Sequence, residues 1–335
     1  MSIVENNDNL VAVTGATGFL GAYIVRDLLE QNYRVLAFVR DPYNQEKLKT
    51  LKSFDPTGSK LTFTGGDLET IDYEKELKNV NYVIHTASPF KYSSPDPWGE
   101  IINPAINGTL GVLKAASKIS TIKKVIVTSS GLAVYDIGTK KPEINDDDWS
   151  NVQDPINQPY PYSKVAAEKK AWEYIKENNE NPSTNHFKLV VINPSYILGA
   201  ALSPLVNASV ATIVRHLTLA EKPRNVAIGV VDVRDVSRSH LIALENDDAN
   251  DQRLLVSAKV VTFKSISDSI VQLFPQFKFN TNTLNNEDPE PFIFNLKSTK
   301  LDKLNFGQFI PFDETLKTMT KHLLDLKIIN PELKN

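Results

Sequence analysis

A turn with three glycines at fixed spacing does most to limit what this chain can fold into. The stretch Val13-Thr14-Gly15-Ala16-Thr17-Gly18-Phe19-Leu20-Gly21 continues the β-branched run Leu10 to Thr14 and leads into a helical pattern from Ala22 to Glu30. Between a strand and a helix, GxxGxxG permits a tight turn, close approach of backbone N–H groups to a pyrophosphate, and close contact of helix with strand. The helix N-terminus adds a preference for negative charge. With 14 glycines in 335 residues, only about 0.02 chance matches to this spacing are expected. The turn therefore predicts a dinucleotide site formed by Gly15, Thr17, Gly18, Phe19, Leu20 and Gly21. The alternative is a glycine-rich turn without a ligand.

The same alternation continues. Arg34 to Val39, Leu61 to Thr64, Tyr82 to His85 and Val125 to Thr128 read as strands, each followed by a helix-like segment, and Lys188 to Ile192 and Val226 to Val231 add two more. Continuous apolar strands separated by helices predict an α/β chain with a doubly wound, Rossmann-type parallel sheet covered on both faces. The regular alternation lapses near Pro194. The expected division is a Rossmann domain over residues 1–192, completed by a strand and helix near 226–246, and a smaller, mainly substrate-binding lobe over 193–335.

Composition removes several classes of function. With 37 basic against 40 acidic residues and a net charge of -3, the chain lacks the footprint of a nucleic-acid or anionic-membrane binder. It contains no cysteine, which excludes disulfide scaffolds, thiolate zinc, iron–sulfur clusters and cysteine nucleophiles. No run of 18 apolar residues predicts a spanning helix, and the polar segment Met1 to Asn9 does not read as a signal peptide, so a cytoplasmic protein is expected. His85, His186, His216, His240 and His322 are scattered without ligand spacing, so no metal is expected. Asp146 to Asp148 read as an acidic loop before a helix, with a cation site as the alternative. Monomer and homodimer both stay open.

Ligands of doubly wound sheets lie beyond the carboxyl ends of the strands, so the residues there carry the functional argument. Where an NAD site would offer a carboxylate after the second strand, this chain has Arg40. A guanidinium suits the 2′-phosphate of NADP, and Lys47 adds a second positive charge; a solvated Arg40–Asp41 pair is the alternative. After the third strand, Asp67 and Leu68 offer contacts to an adenine, and Thr86, Ala87 and Ser88 follow the fourth. Ordinary turn chemistry would account for both segments equally well.

Tyr160 and Lys164, at i and i+4 in a helical segment, share one helix face. A nearby ammonium stabilises a phenolate and lowers a tyrosine pKa from ~10, which suits general acid chemistry at a carbonyl. The spacing alone is uninformative, because about one chance match is expected and Tyr43 to Lys47 fits equally well. That second pair lies on the adenosine side of the expected site. Thr128-Ser129-Ser130 ends the fifth strand, where the Ser130 hydroxyl is placed to donate to a developing alkoxide.

Together with Asn193-Pro194-Ser195-Tyr196, these motifs resemble the extended short-chain dehydrogenase/reductases. His85-Thr86-Ala87-Ser88-Pro89-Phe90, Asn103 to Thr109 and Ala167 to Trp172 narrow the resemblance to the dihydroflavonol-reductase-like branch, close to the yeast methylglyoxal/aldehyde reductases. The resemblance implies NADPH-dependent reduction of a small-molecule aldehyde or ketone. It gives Tyr160 the proton, Ser130 the polarising role and Lys164 the nicotinamide ribose. It links Asn107 to a proton-relay water, puts Arg40 and Lys47 on the 2′-phosphate, and puts Thr128, Pro194 and Ser195 against the cofactor. Phe90, Trp98, Tyr135 and Tyr196 are candidate substrate-lining residues, with core packing as the rival reading. Plant dihydroflavonol reductases tend to carry Asn or Asp where this chain has Tyr135, which counts against a flavonoid substrate. Two other functions stay open: an NAD-dependent sugar-nucleotide epimerase or dehydratase, and a non-catalytic NADP sensor.

Overall fold

The computed structural model describes residues 9–66, 70–204, 206–219, 221–281 and 289–334. The first half runs β1 (Leu10–Thr14), α1 (Phe19–Glu30), β2 (Arg34–Val39), α2 (Gln45–Phe54), β3 (Leu61–Gly65), α3 (Tyr73–Glu76), β4 (Tyr82–His85), α4 (Asn103–Ala116) and β5 (Lys124–Thr128). It continues through β6 (Glu143–Asn145), α5 (Pro159–Glu180), β7 (Lys188–Pro194), β8 (Tyr196–Leu198), α6 (Ala208–Thr218), β9 (Ala227–Asp232) and α7 (Val233–Glu245). The last part comprises β10 (Arg253–Val256), β11 (Lys259–Thr262), α8 (Phe263–Leu273), β12 (Phe277–Lys278), β13 (Asn295–Lys297), α9 (Thr299–Lys303), α10 (Phe312–Asp325) and β14 (Glu332–Leu333).

Seven strands form one parallel sheet in the order β3-β2-β1-β4-β5-β7-β10. The order reverses direction at β1, which sets the ligand crevice between β1 and β4. Side chains alternate across this sheet with the period of two that extended backbone imposes. Val11 and Val13 of β1, Ile126 of β5 and Val190 and Ile192 of β7 face the layer built with α1, α2 and α7. Ala12, Val125, Val127, Leu189 and Val191 face the other layer, with α4 and α5. Both faces are buried, so these strands read as unbroken apolar runs. No helix among the described residues is long and apolar enough to cross a membrane.

The strand expected near 226–231 does not complete this sheet. β9 pairs instead with β8, parallel, and with β11, antiparallel, as a separate three-stranded sheet. The seventh strand of the main sheet is β10, paired with β7. The helix that follows it, α7, lays Val233, Val236, Ala243 and Leu244 on the same face of the main sheet as α1. The smaller sheet, α6, α8 and α10 enclose a core of their own that includes Leu198, Ile213, Ile266, Leu316 and Met319.

Candidate active site

A cleft of about 1200 Å³ runs along the carboxyl ends of β1, β2, β4, β5 and β7 and under the smaller sheet. At one end lies the glycine turn. Gly15 has φ +68, and a Cβ added there would stand 2.7 Å from Thr86 Oγ1. A Cβ on Gly21 would stand 2.2 Å from Gly15 O, so α1 can approach the turn only with glycine at that position. Side chains cap α2, α6, α7 and α8, whereas Gly18 begins α1 with no side-chain cap and no acidic residue in its first turn. The uncapped N–H groups and the positive end of the helix are thereby left for an anion.

Every described residue assigned to the cofactor from sequence lines this cleft: Gly15, Thr17, Gly18, Phe19, Leu20, Gly21, Arg40, Lys47, Thr86, Ala87, Ser88, Thr128, Tyr160, Lys164, Pro194 and Ser195. Asp67 and Leu68 lie outside the described residues. The alternative Arg40–Asp41 pair is not formed, since Asp41 Oδ1 accepts from the Tyr43 backbone N–H at 2.9 Å. Tyr43 is 86% exposed, which removes the second Tyr-x-x-x-Lys match from any site. The uncapped helix, the glycine cradle and two cations beyond β2 together fit a pyrophosphate with a further phosphate on the adenosine ribose.

Tyr160 lies in the first turn of α5, which Pro159 starts, and one turn later Lys164 puts Nζ 5.4 Å from the centre of the tyrosine ring. Ser130 follows β5 and lines the cleft beside Tyr160. All three are buried. Asn193 Nδ2 donates to Ser130 O at 3.2 Å, and Ser130 Oγ accepts from Leu132 N at 3.1 Å, which fixes the serine at the strand end. Burial pushes the Tyr160 pKa up, the neighbouring Tyr92 adds to this, and the nearby Ser130 hydroxyl opposes it. The sequence led us to expect the opposite shift. Here desolvation of the phenolate is the largest cause, and Tyr160 is held as a proton donor. Burial also lowers Lys164 to about 8. His85, pushed down to about 3 by burial with Lys164 adding, is neutral and sits 2.8 Å from Thr14 Oγ1.

Behind these groups lies a polar cluster that the sequence did not announce. Glu168, one turn beyond Lys164, accepts from Ser129 Oγ at 2.6 Å and Asn193 Nδ2 at 2.7 Å, and pairs with Arg253 Nε at 2.5 Å. Arg253 also donates to Asp146 O at 3.0 Å and Asp148 O at 2.6 Å, and stacks on Trp149 at 3.7 Å. Asp146 is therefore not part of a solvated loop before a helix. It is fully buried and accepts from Leu255 N and Thr299 Oγ1, each at 2.8 Å. No group of three or more His, Asp or Glu among the described residues is placed to hold a metal ion.

The substrate-side expectations divide. Phe90 lines the cleft with its ring 4.7 Å from that of Tyr160, and Tyr196 lines it with its hydroxyl donating to Ser209 O at 2.9 Å. Tyr135 reaches the wall, but its hydroxyl accepts from Gly229 N at 3.1 Å and its ring packs on Phe294, so half of its role is core. Trp98 is a correction: it lies outside the cleft and packs against Tyr162 at 5.8 Å. Asn107 is another, since it is exposed on α4 and does not line the cleft. Its helix follows a π-helical turn, Trp98–Ile102. Lining residues that went unread include Tyr92, 5.2 Å ring to ring from Tyr160, and Arg224. Both sit in polar, aperiodic segments with no motif to mark them.

Residues 11–256 match the family model described as the NAD dependent epimerase/dehydratase family. Cinnamoyl-CoA reductase CAD2 of Medicago truncatula is 32% identical over 332 residues, covering 97% of this chain and 99% of that relative. The NADPH-dependent methylglyoxal reductase GRE2 of Saccharomyces cerevisiae is 31% identical over 294 residues, 81% of this chain and 84% of the relative. Among solved structures, yeast methylglyoxal/isovaleraldehyde reductase Gre2 complexed with NADPH superposes with a TM-score of 0.81 at 28% identity, covering 95% of this chain and 99% of that one.

Proposed function

Since the chain belongs to the NAD dependent epimerase/dehydratase family, we propose that it works there as an NADPH-dependent reductase that converts an aldehyde or ketone to an alcohol. The observation that carries this reading is the buried trio of Ser130, Tyr160 and Lys164 in one cleft with an uncapped helix N-terminus and two cations, Arg40 and Lys47. NADPH, when bound, supplies the hydride for the carbonyl carbon.

The protein's own groups handle the oxygen. Tyr160, kept protonated by burial, donates its phenolic proton to the carbonyl oxygen as negative charge develops there. The Ser130 hydroxyl donates to the same oxygen, held in place by the hydrogen bonds that Asn193 and Leu132 make to Ser130. Lys164 holds positive charge next to the tyrosine that has lost its proton, and it offers N–H donors to the nicotinamide ribose. Arg40 and Lys47 take the 2′-phosphate, which also argues against the sugar-nucleotide epimerase reading, where NAD is retained. Phe90, Tyr92 and Tyr196 provide apolar walls that exclude water from the reacting carbonyl.

Purified protein tested against aldehydes, diketones, 3-oxo esters and one dihydroflavonol, with NADPH and NADH in parallel, decides the reading. Turnover with NADPH is expected. Silence throughout, with NADPH still binding, would move the weight to an epimerase or a sensor.

A further inference from the structure

The cleft carries an uncommitted positive charge at its substrate end. Seven charged residues among the described ones line it: Arg40, Asp41, Lys47, Lys91, Glu100, Lys164 and Arg224. Arg40, Asp41 and Lys47 belong to the adenosine end, and Lys164 stands beside Tyr160. Lys91 and Glu100 neutralise one another at 2.7 Å. Arg224 has no carboxylate partner among the described residues, although it stands with Tyr92, Tyr196, Asn207, Ser209 and Ile228 in the wall of the same cleft. Burial raises the pKa of Tyr92 and of Tyr196, and the Arg224 guanidinium opposes the rise in both, so its field is felt inside the cleft. Tyr92 in turn touches the Tyr160 ring edge-on at 5.2 Å. The same wall thus carries the proton donor, the aromatic ring beside it and a guanidinium with no carboxylate partner among the described residues.

Resting on the reductase reading above, we propose that Arg224 selects carbonyl substrates that bear a carboxylate at the end away from the carbonyl that Tyr160 protonates. A guanidinium receives a carboxylate through two parallel N–H donors, which fixes direction as well as charge. The flanking aromatics offer π-faces to a planar segment joining the two ends of such a substrate. A neutral substrate leaves the guanidinium solvated and gains nothing from it.

The test compares 4-formylbenzoate with methyl 4-formylbenzoate, which differ only in the charge at the far end. The wild-type enzyme should favour the acid in kcat/KM. Arg224→Gln should lower the acid-to-ester ratio about tenfold, the low end for a charge-assisted hydrogen bond at a partly solvated site, and Arg224→Lys should restore part of it. Calorimetric binding of 4-(hydroxymethyl)benzoate in the presence of NADP gives a second readout that needs no turnover. If neither aldehyde is reduced but the benzoate binds and loses affinity in Arg224→Gln, the reductase reading fails and the role of Arg224 stands. A wild-type preference for the ester, or an unchanged acid-to-ester ratio in Arg224→Gln, overturns the proposal.

Discussion

Glu168 and Arg253, 85 positions apart in the chain, form a buried ion pair of 2.5 Å that joins the helix of Tyr160 to the last strand of the main sheet. The second oxygen of the same carboxylate receives Ser129 and Asn193, so one side chain gathers the ends of β5 and β7 beneath the reacting groups. Around this enclosed carboxylate a cation and two neutral donors take the place of water.

Removing one member of such a pair strands the other. Glu168→Leu leaves the Arg253 guanidinium with carbonyl and ring contacts only, and should cost about 3–5 kcal/mol. Urea denaturation of the two proteins checks this. A loss below about 1 kcal/mol, the range of a surface pair, would show that the enclosed geometry is not maintained in solution.

Tyr160→Phe keeps the ring and its contacts with Phe90 and Tyr92 but deletes the proton donor. Turnover should fall at least about a hundredfold, as expected for loss of general acid catalysis, while NADPH affinity measured by fluorescence changes less than about twofold, a few tenths of a kcal/mol. A Tyr160→Phe protein with wild-type kcat would remove the tyrosine from the chemistry.

Arg40 and Lys47 are read as the 2′-phosphate pair. Arg40→Ser should raise the KM for NADPH about tenfold or more, since it deletes a charge-assisted bond, and leave the KM for NADH nearly unchanged. The ratio of kcat/KM values for the two cofactors is the measurement. A parallel change with both would place Arg40 away from the phosphate.

Lys164 links activity to pH and stability. Its ammonium is lowered by burial from 10.5 to about 8. Below about 8 both folded and unfolded chains hold that proton, and the folded state bears the whole cost of an enclosed charge. Between about 8 and 10.5 the unfolded chain binds the proton and the folded chain does not, so this residue's contribution to stability rises with pH. Lys164→Met should therefore melt at a higher temperature than wild type at pH 7 without cofactor, with the difference shrinking as pH rises past 8. The same variant should be inactive. A lower melting temperature at pH 7 would mean that the ammonium is better compensated than its burial implies.

The main sheet was legible because each strand is covered on both faces, so Leu10–Thr14, Arg34–Val39 and Tyr82–His85 stand out as apolar runs with the observed bounds. β9 looked like one more of these, being buried throughout, and only its partners place it elsewhere. Which strand pairs with which is settled by contacts between distant segments, to which periodicity is blind. The glycine turn and the Tyr160–Lys164 spacing were legible for a related reason, since both are local. The Glu168–Arg253 pair, Tyr92 and Arg224 acquire their meaning only when segments dozens of residues apart converge. Asn107 and Trp98 lie on a helix and on the turn before it, where residue spacing does not say which side chains face the cleft.

The most direct test of the account follows one atom. NADPH carrying deuterium at the transferable position of C4 is supplied to the wild-type protein with an aldehyde that it turns over, and the alcohol is examined by mass spectrometry and NMR. One deuterium bonded to the carbinol carbon, formed in step with NADPH oxidation and absent with Tyr160→Phe, is the expected result. An alcohol free of deuterium, or NADPH that stays unoxidised across the whole panel of carbonyl compounds, would contradict it.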